Sequence, residues 1–126
     1  MTDKGLFGTY YQNSTGSSGA PGIFYSSSVP SDYLRKDSNN QATVMKDFEC
    51  LIVLSTTSSD VLNANDYQTL EVNGAQVCAT PRQSSIRNTL NVVYLKLKSG
   101  DIITGRVYHL STNYRVYFNY EVFEIN

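Results

Sequence analysis

The chain has 126 residues, enough for one domain with a real core and too few for two. Its 10 basic and 11 acidic residues leave a net charge of −1, which argues against nucleic-acid binding, where a surplus of Lys and Arg must face phosphate. Tyrosine dominates the aromatics, 10 against 5 Phe and no Trp. It suits strands and half-wet contact surfaces alike.

The first residues, MTDKGLFGTYY, contain no basic region followed by an apolar run, so no signal peptide is expected. No apolar stretch reaches membrane-spanning length, and membrane insertion is not expected either. Residues 5–11 read as a strand that puts Leu6 and Phe7 on opposite faces. Residues 12–22 (QNSTGSSGAPG) are the most loop-like part of the chain and include a formal glycosylation sequon at Asn13, which chance accounts for. The strand-like IFYSSSV that follows makes this a surface loop within a single domain, residues 1–126. Residues 30–41 are polar and turn-rich, with room for one helical turn. Residues 48–54 (FECLIVL) are nearly all apolar and β-branched at Ile52 and Val53, as in a central strand covered on both faces.

Residues 55–66 (STTSSDVLNAND) read as a polar loop leading into the strongest local signal, YQTLEVNGAQVCA at 67–79. Asn73-Gly74 tolerates the positive φ of a two-residue type I′ turn and predicts a β-hairpin. That turn sets Val72 against Ala75, Glu71 against Gln76, Leu70 against Val77 and Thr69 against Cys78, with Leu70, Val72, Ala75 and Val77 on the apolar face. Residues 81–89 connect to a strand at 92–98 with Val93, Leu95 and Leu97 inward and Tyr94, Lys96 and Lys98 outward. The turn at 98–101 (KSGD) opens a second hairpin into 102–110. Near the C-terminus Tyr114, Val116, Phe118, Tyr120 and Val122 share one face, and Arg115, Tyr117, Asn119 and Glu121 the other. Phe123 and Ile125 break that phase, which predicts a β-bulge at residues 121–123. About eight strands and no helical periodicity describe an all-β antiparallel sandwich or jelly roll. Its core should include Leu70, Val72, Val77, Leu95, Leu97, Val116 and Phe118.

Several segments, in order, resemble the PA14 domain: GLFGTYY, GAPGIFYSSSV, the stretch from TTSSD to VNGAQV, and YLKLKSGDIITGRVYHL. The resemblance implies a β-sandwich of the kind found in toxins, adhesins and carbohydrate-active proteins. It also implies a calcium-dependent sugar site built on two adjacent aspartates. Asp60 falls at the first of these, but Val61 replaces the second and no glycine follows. A tryptophan common near the family's end is replaced by Phe123.

Chemistry-bearing motifs are sparse. His109, the one histidine, falls in a strand pattern where a hydrogen-bonded structural role is expected rather than a general base. No nucleophile elbow, P-loop, dinucleotide fingerprint or zinc spacing is present, so no enzyme is expected, and no cofactor beyond calcium. Cys50 and Cys78 are expected as two free, partly buried thiols unless their strands are neighbours. The 55–66 loop supplies Asp60, Asn63, Asn65 and Asp66, hard oxygens that suit a sugar's hydroxyls, or calcium at Asp60 and Asp66. The same residue types make turns by bonding their own backbone. These observations lead to a non-enzymatic module that recognises a cell-surface glycan or protein, extracellular or virion-associated. The alternative is a jelly-roll assembly subunit of a virus or phage particle, with a module of a pore-forming or crystal toxin third. Tyr117, Arg115 and Asn119, with Tyr94, mark a face for homo-oligomerisation.

Overall fold

The computed structural model describes residues 1–12, 20–21, 27–37, 41–109 and 114–126, with only the backbone described for residues 9–12 and 20–21. The sequon at Asn13, most of the 12–22 loop and most of the 23–29 strand reading lie outside them. Among the described residues every regular element is a strand. These are β1 (Thr2–Gln12), β2 (Ala20–Pro21), β3 (Leu34–Lys36), β4 (Gln41–Val44), β5 (Phe48–Ser58), β6 (Tyr67–Val72), β7 (Ala75–Ala79), β8 (Asn88–Leu97), β9 (Ile102–Tyr108) and β10 (Val116–Glu124). They pair antiparallel into two sheets, one ordered β1-β10-β5-β8, the other β3-β4-β9-β6-β7 with β2 also on β9. From β4 onward the chain changes sheet at every connection except the β6–β7 hairpin. That repeated crossing makes a jelly roll rather than two stacked meanders.

Alternation drives the packing. Along β5, Phe48, Cys50, Ile52 and Leu54 turn inward onto Leu70 and Ile103 of the facing sheet and are buried with them. Tyr120 is buried at the centre, its ring 4.9 Å from that of Phe7. Its hydroxyl donates across to the carbonyls of Thr69 (2.9 Å) and Arg106 (3.2 Å). A second apolar cluster of Leu62, Val107, Val116 and Phe118 fills one end. Buried polar groups stand between the two clusters. Thr56 Oγ1 donates to Gln68 Oε1 (2.6 Å), Gln68 Nε2 donates to the Asn119 carbonyl (2.9 Å), and the Gln68 amide donates to Thr80 Oγ1 (3.0 Å). These bonds compensate the burial of Thr56 and Gln68, which keeps this layer from weakening the core.

Four sequence expectations need correction. The hairpin closes at Asn73 (φ 53°) and Gly74 (φ 84°) as expected of a type I′ turn, but its register slips one residue on. Leu70 pairs with Cys78 and Thr69 with Ala79, because a β-bulge absorbs Val77. Val77 is therefore exposed and Cys78 buried, the reverse of the flush alternation. Of the expected core, Leu70, Leu97, Val116 and Phe118 are buried, and Val72 and Leu95 pack against it half-buried. The bulge expected at residues 121–123 is absent: β10 runs in unbroken register on β5 from Val116↔Ser58 to Glu124↔Cys50. The irregularities fall on β1 instead, between Asp3 and Gly5 and between Leu6 and Gly8. Residues 55–58 continue strand β5, so the loop starts only at Ser59. Residues 31–33 form a turn, with Tyr33 and Leu34 amides both donating to the Pro30 carbonyl, and lead into β3 and β4.

Candidate interaction surface

The 59–66 loop shows where the expected ligand residues go. Asp60 Oδ1 accepts the amide of its neighbour Val61 (2.7 Å), and Asn63 Oδ1 accepts that of Asn65 (2.7 Å). Both are local side-chain-to-backbone bonds that make turns. Arg82 fastens the loop from outside, donating to the Ala64 carbonyl (3.0 Å) and to Asn65 Oδ1 (3.3 Å).

Asp66 is different. It is 1% exposed, and its carboxylate accepts from His109 Nδ1 (2.7 Å), from the Asn63 amide (2.9 Å) and from the Tyr114 hydroxyl. A carboxylate can only accept, so the Nδ1 of His109 carries a proton. Nε2 lies 3.2 Å from the Tyr114 carbonyl. Burial alone would raise Asp66, but the bonds from His109, the Asn63 amide and Tyr114 outweigh it and hold the carboxyl below its ordinary range. Burial first, and then Asp66, push the Tyr114 phenol up. The loop's four candidates are thus not gathered into one open cage: Asp60 and Asn65 are exposed, and Asp66 is sealed into an internal network. Among the described residues no three His, Cys, Asp or Glu side chains stand together as a metal-holding group. Cys50 and Cys78 are free and buried, the Cys50 thiol pushed up to about 12 by burial.

The outer face of the four-stranded sheet is the feature the sequence reading largely missed. Strand registers place its side chains in rungs. Asp3, Phe123, Leu51 and Tyr94 make one, and Leu6, Glu121, Val53 and Val92 the next. Asn119, Ser55 and Leu90 follow, then Tyr117, Thr57 and Asn88. Antiparallel sheets with one wet face ordinarily carry polar residues there. Here Leu90 is 64% exposed, Val92 50%, Tyr94 48% and Tyr117 40%, all on that one face. Phe123, Leu51, Val53 and Leu6 are half-buried beside them. The outer face of the other sheet mixes polar and aromatic groups, with Glu71 and Arg106 paired at 2.8 Å, Gln41 Nε2 donating to Thr104 Oγ1, and the Tyr67 and Tyr108 rings stacked at 4.2 Å. Phe123 keeps the phase of β10 and points outward, so the apparent break in alternation is really a second apolar face. The signal was available: residues 90, 92, 94, 51, 53 and 123 are apolar on the opposite parity from the core. Two apolar parities on neighbouring strands mark two apolar faces.

No helix among the described residues is long and apolar enough to cross a membrane. No family model matches the chain, and no curated protein matches it in sequence. The PA14 resemblance therefore rests on the quoted segments alone. Solved structures do match. An Eiger TNF from S. frugiperda aligns over 94% of this chain and 90% of its own, with a TM-score of 0.55 at 11% identity. A rabbit GITRL (TM-score 0.47, 15% identity, 68% of this chain and 74% of that one) and a pika GITRL (0.46, 18%, 69% and 81%) also align. At such identities the likeness speaks for fold alone, and the fold of this chain is a jelly roll like that of the Eiger TNF.

Proposed function

We propose that this chain is a non-enzymatic binding module that assembles with copies of itself through the outer face of the β1-β10-β5-β8 sheet and recognises a protein on a cell surface. The observation that carries the reading is the apolar outer face, with Leu90, Val92, Tyr94 and Tyr117 exposed on four rungs. Four strands about 4.8 Å apart and nine residues at about 3.3 Å each give a face of roughly 600 Å² in projection. With side-chain relief this approaches the about 800 Å² per partner of a standard interface, and the exposed Leu90, Val92 and Tyr94 stand in a row along β8 within it. A second copy is the proposed occupant because most of the face is uncharged, with Asp3 and Glu121 as the charges at its middle. Its Lys96 already pairs with Glu49 (3.8 Å), so that cation does not select an oppositely charged stranger. Extracellular placement goes with the cell-surface partner. A jelly roll shared with an Eiger TNF is compatible with that role. The burial of His109, both of whose ring nitrogens face protein oxygens, supports the non-enzymatic part.

Sedimentation velocity from nanomolar to micromolar concentration tests the assembly, which should give a defined oligomer. A monomer throughout contradicts it. Labelled protein applied to cells tests the partner. Binding lost after trypsin and kept after glycosidase treatment is expected, and the opposite pattern would replace the protein partner with a glycan.

A further inference from the structure

The apolar outer face carries one acidic interruption. Glu121 stands between Leu6 and Val53 on its rung, with Phe123 and Asn119 before and behind it on β10. Asp3 lies diagonally across on β1, opposite Phe123, so the two carboxyls stand on neighbouring strands of one face. Asp3 Oδ1 also accepts the Gly5 amide at 2.8 Å, which holds it in place. On the other flank β5 presents Leu51, Val53 and Ser55, none of them charged. The nearest cation on the face, Lys96, is paired with Glu49, and Lys4 is paired with Glu124 (3.4 Å). Two carboxylates thus stand close together, with Lys96 and Lys4 engaged elsewhere, in the middle of a largely apolar surface.

We infer that self-assembly through this face takes up a proton at the Glu121–Asp3 carboxyl pair, so that acidification tightens it. The inference rests on the assembly reading above. Covering the face with a second copy strips water from both carboxylates, and an uncompensated buried charge neutralises rather than stays ionised. Burial on the half-covered face already pushes the Glu121 carboxyl above its ordinary 4.5, and Asp3 adds to the rise. Further desolvation can only move it in the same direction. One shared proton lets the pair hydrogen-bond to itself, as close carboxyls do elsewhere. Affinity then rises as the pH falls toward and through the raised value, by at most about tenfold per pH unit for each proton bound.

Sedimentation velocity of the full chain, in wild type, Glu121→Gln and Asp3→Asn, between about pH 7.5 and about pH 5.5, tests this directly. The wild-type dissociation constant should tighten by roughly tenfold or more on acidification. Glu121→Gln, isosteric and uncharged, should assemble tightly at both values with a change under about twofold, and Asp3→Asn should fall between. A wild type that assembles equally at both values overturns the proton linkage and leaves the assembly reading standing. A trend that survives unchanged in Glu121→Gln also overturns it, since the proton then binds elsewhere. A monomer under all conditions overturns both.

Discussion

Tyr120 and Gly105 fix how closely the two sheets approach. A Cβ built on Gly105 would lie 2.6 Å from the Tyr120 ring, closer than any real contact, and that ring is held by two hydrogen bonds to backbone carbonyls. Gly105→Ala should therefore destabilise the fold by about 2–3 kcal/mol through overpacking, read as a lowered urea midpoint. An unchanged midpoint would mean the sheets can part at little cost. Asp66 gives a second residue-scale test. Its folded value lies below the unperturbed 3.8, so its contribution is complete above that value and is lost as the pH falls through the folded one. Asp66→Asn should lower stability by about 3 kcal/mol at neutral pH, because it breaks a buried, charge-assisted network. It should also flatten the fall in stability below about pH 4. A mutant whose acid unfolding matches the wild type would show that Asp66 is not the group whose protonation matters.

At the scale of the element, the β6–β7 hairpin separates what local chemistry announces from what packing decides. Asn73 and Gly74 adopt positive φ, and nothing lies within 4 Å of a Cβ placed on Gly74. Gly74→Val should thus cost only the backbone strain, about 2 kcal/mol, and a urea midpoint equal to wild type would contradict the turn type. Turn chemistry is local and was legible in the sequence. The bulge at Val77 was not, because it is settled by which of Val77 and Cys78 fits against Leu70 in the assembled core. Strands β3 and β4 were missed for a similar reason. Three and four residues long and polar on one face, they are held by pairing, β4 onto β9 and β3 onto β4, rather than by their own pattern. The alternation of β8 and β10 was legible because each buries one clean parity, whereas the apolar run of β5 read as covered on both faces, although Leu51 and Val53 on its outer face are only half-buried. The second apolar parity was misread, on β10, as a bulge. In the 59–66 loop the turn-making role of Asp60 and Asn63 was as legible as the ligand role, but the burial of Asp66 depends on His109 and Tyr114, more than 40 residues away in the chain.

At the scale of the molecule the two sheets differ in what their outer faces offer: ion-paired and tyrosine side chains on one, exposed aliphatic and tyrosine side chains on the other. Tyr94 and Tyr117 were legible as outward-facing residues from the alternation, whereas Leu90 and Val92 needed the strand registers to join them into one surface. Val92→Glu should leave the fold intact, since the side chain is half exposed, and weaken assembly by about a hundredfold or more, the effect of burying an unpaired charge in an interface. The most direct measurement uses the absence of tryptophan from the chain. Tyr94→Trp places a lone reporter on the apolar face, and Gln76→Trp places a control on an exposed site of the other sheet. As concentration rises from nanomolar to micromolar, the indole emission of the Tyr94→Trp variant should shift to the blue and become shielded from iodide, while that of the Gln76→Trp variant stays unchanged. An indole at the Tyr94 position that remains equally open to water and iodide at every concentration would contradict self-assembly through this face.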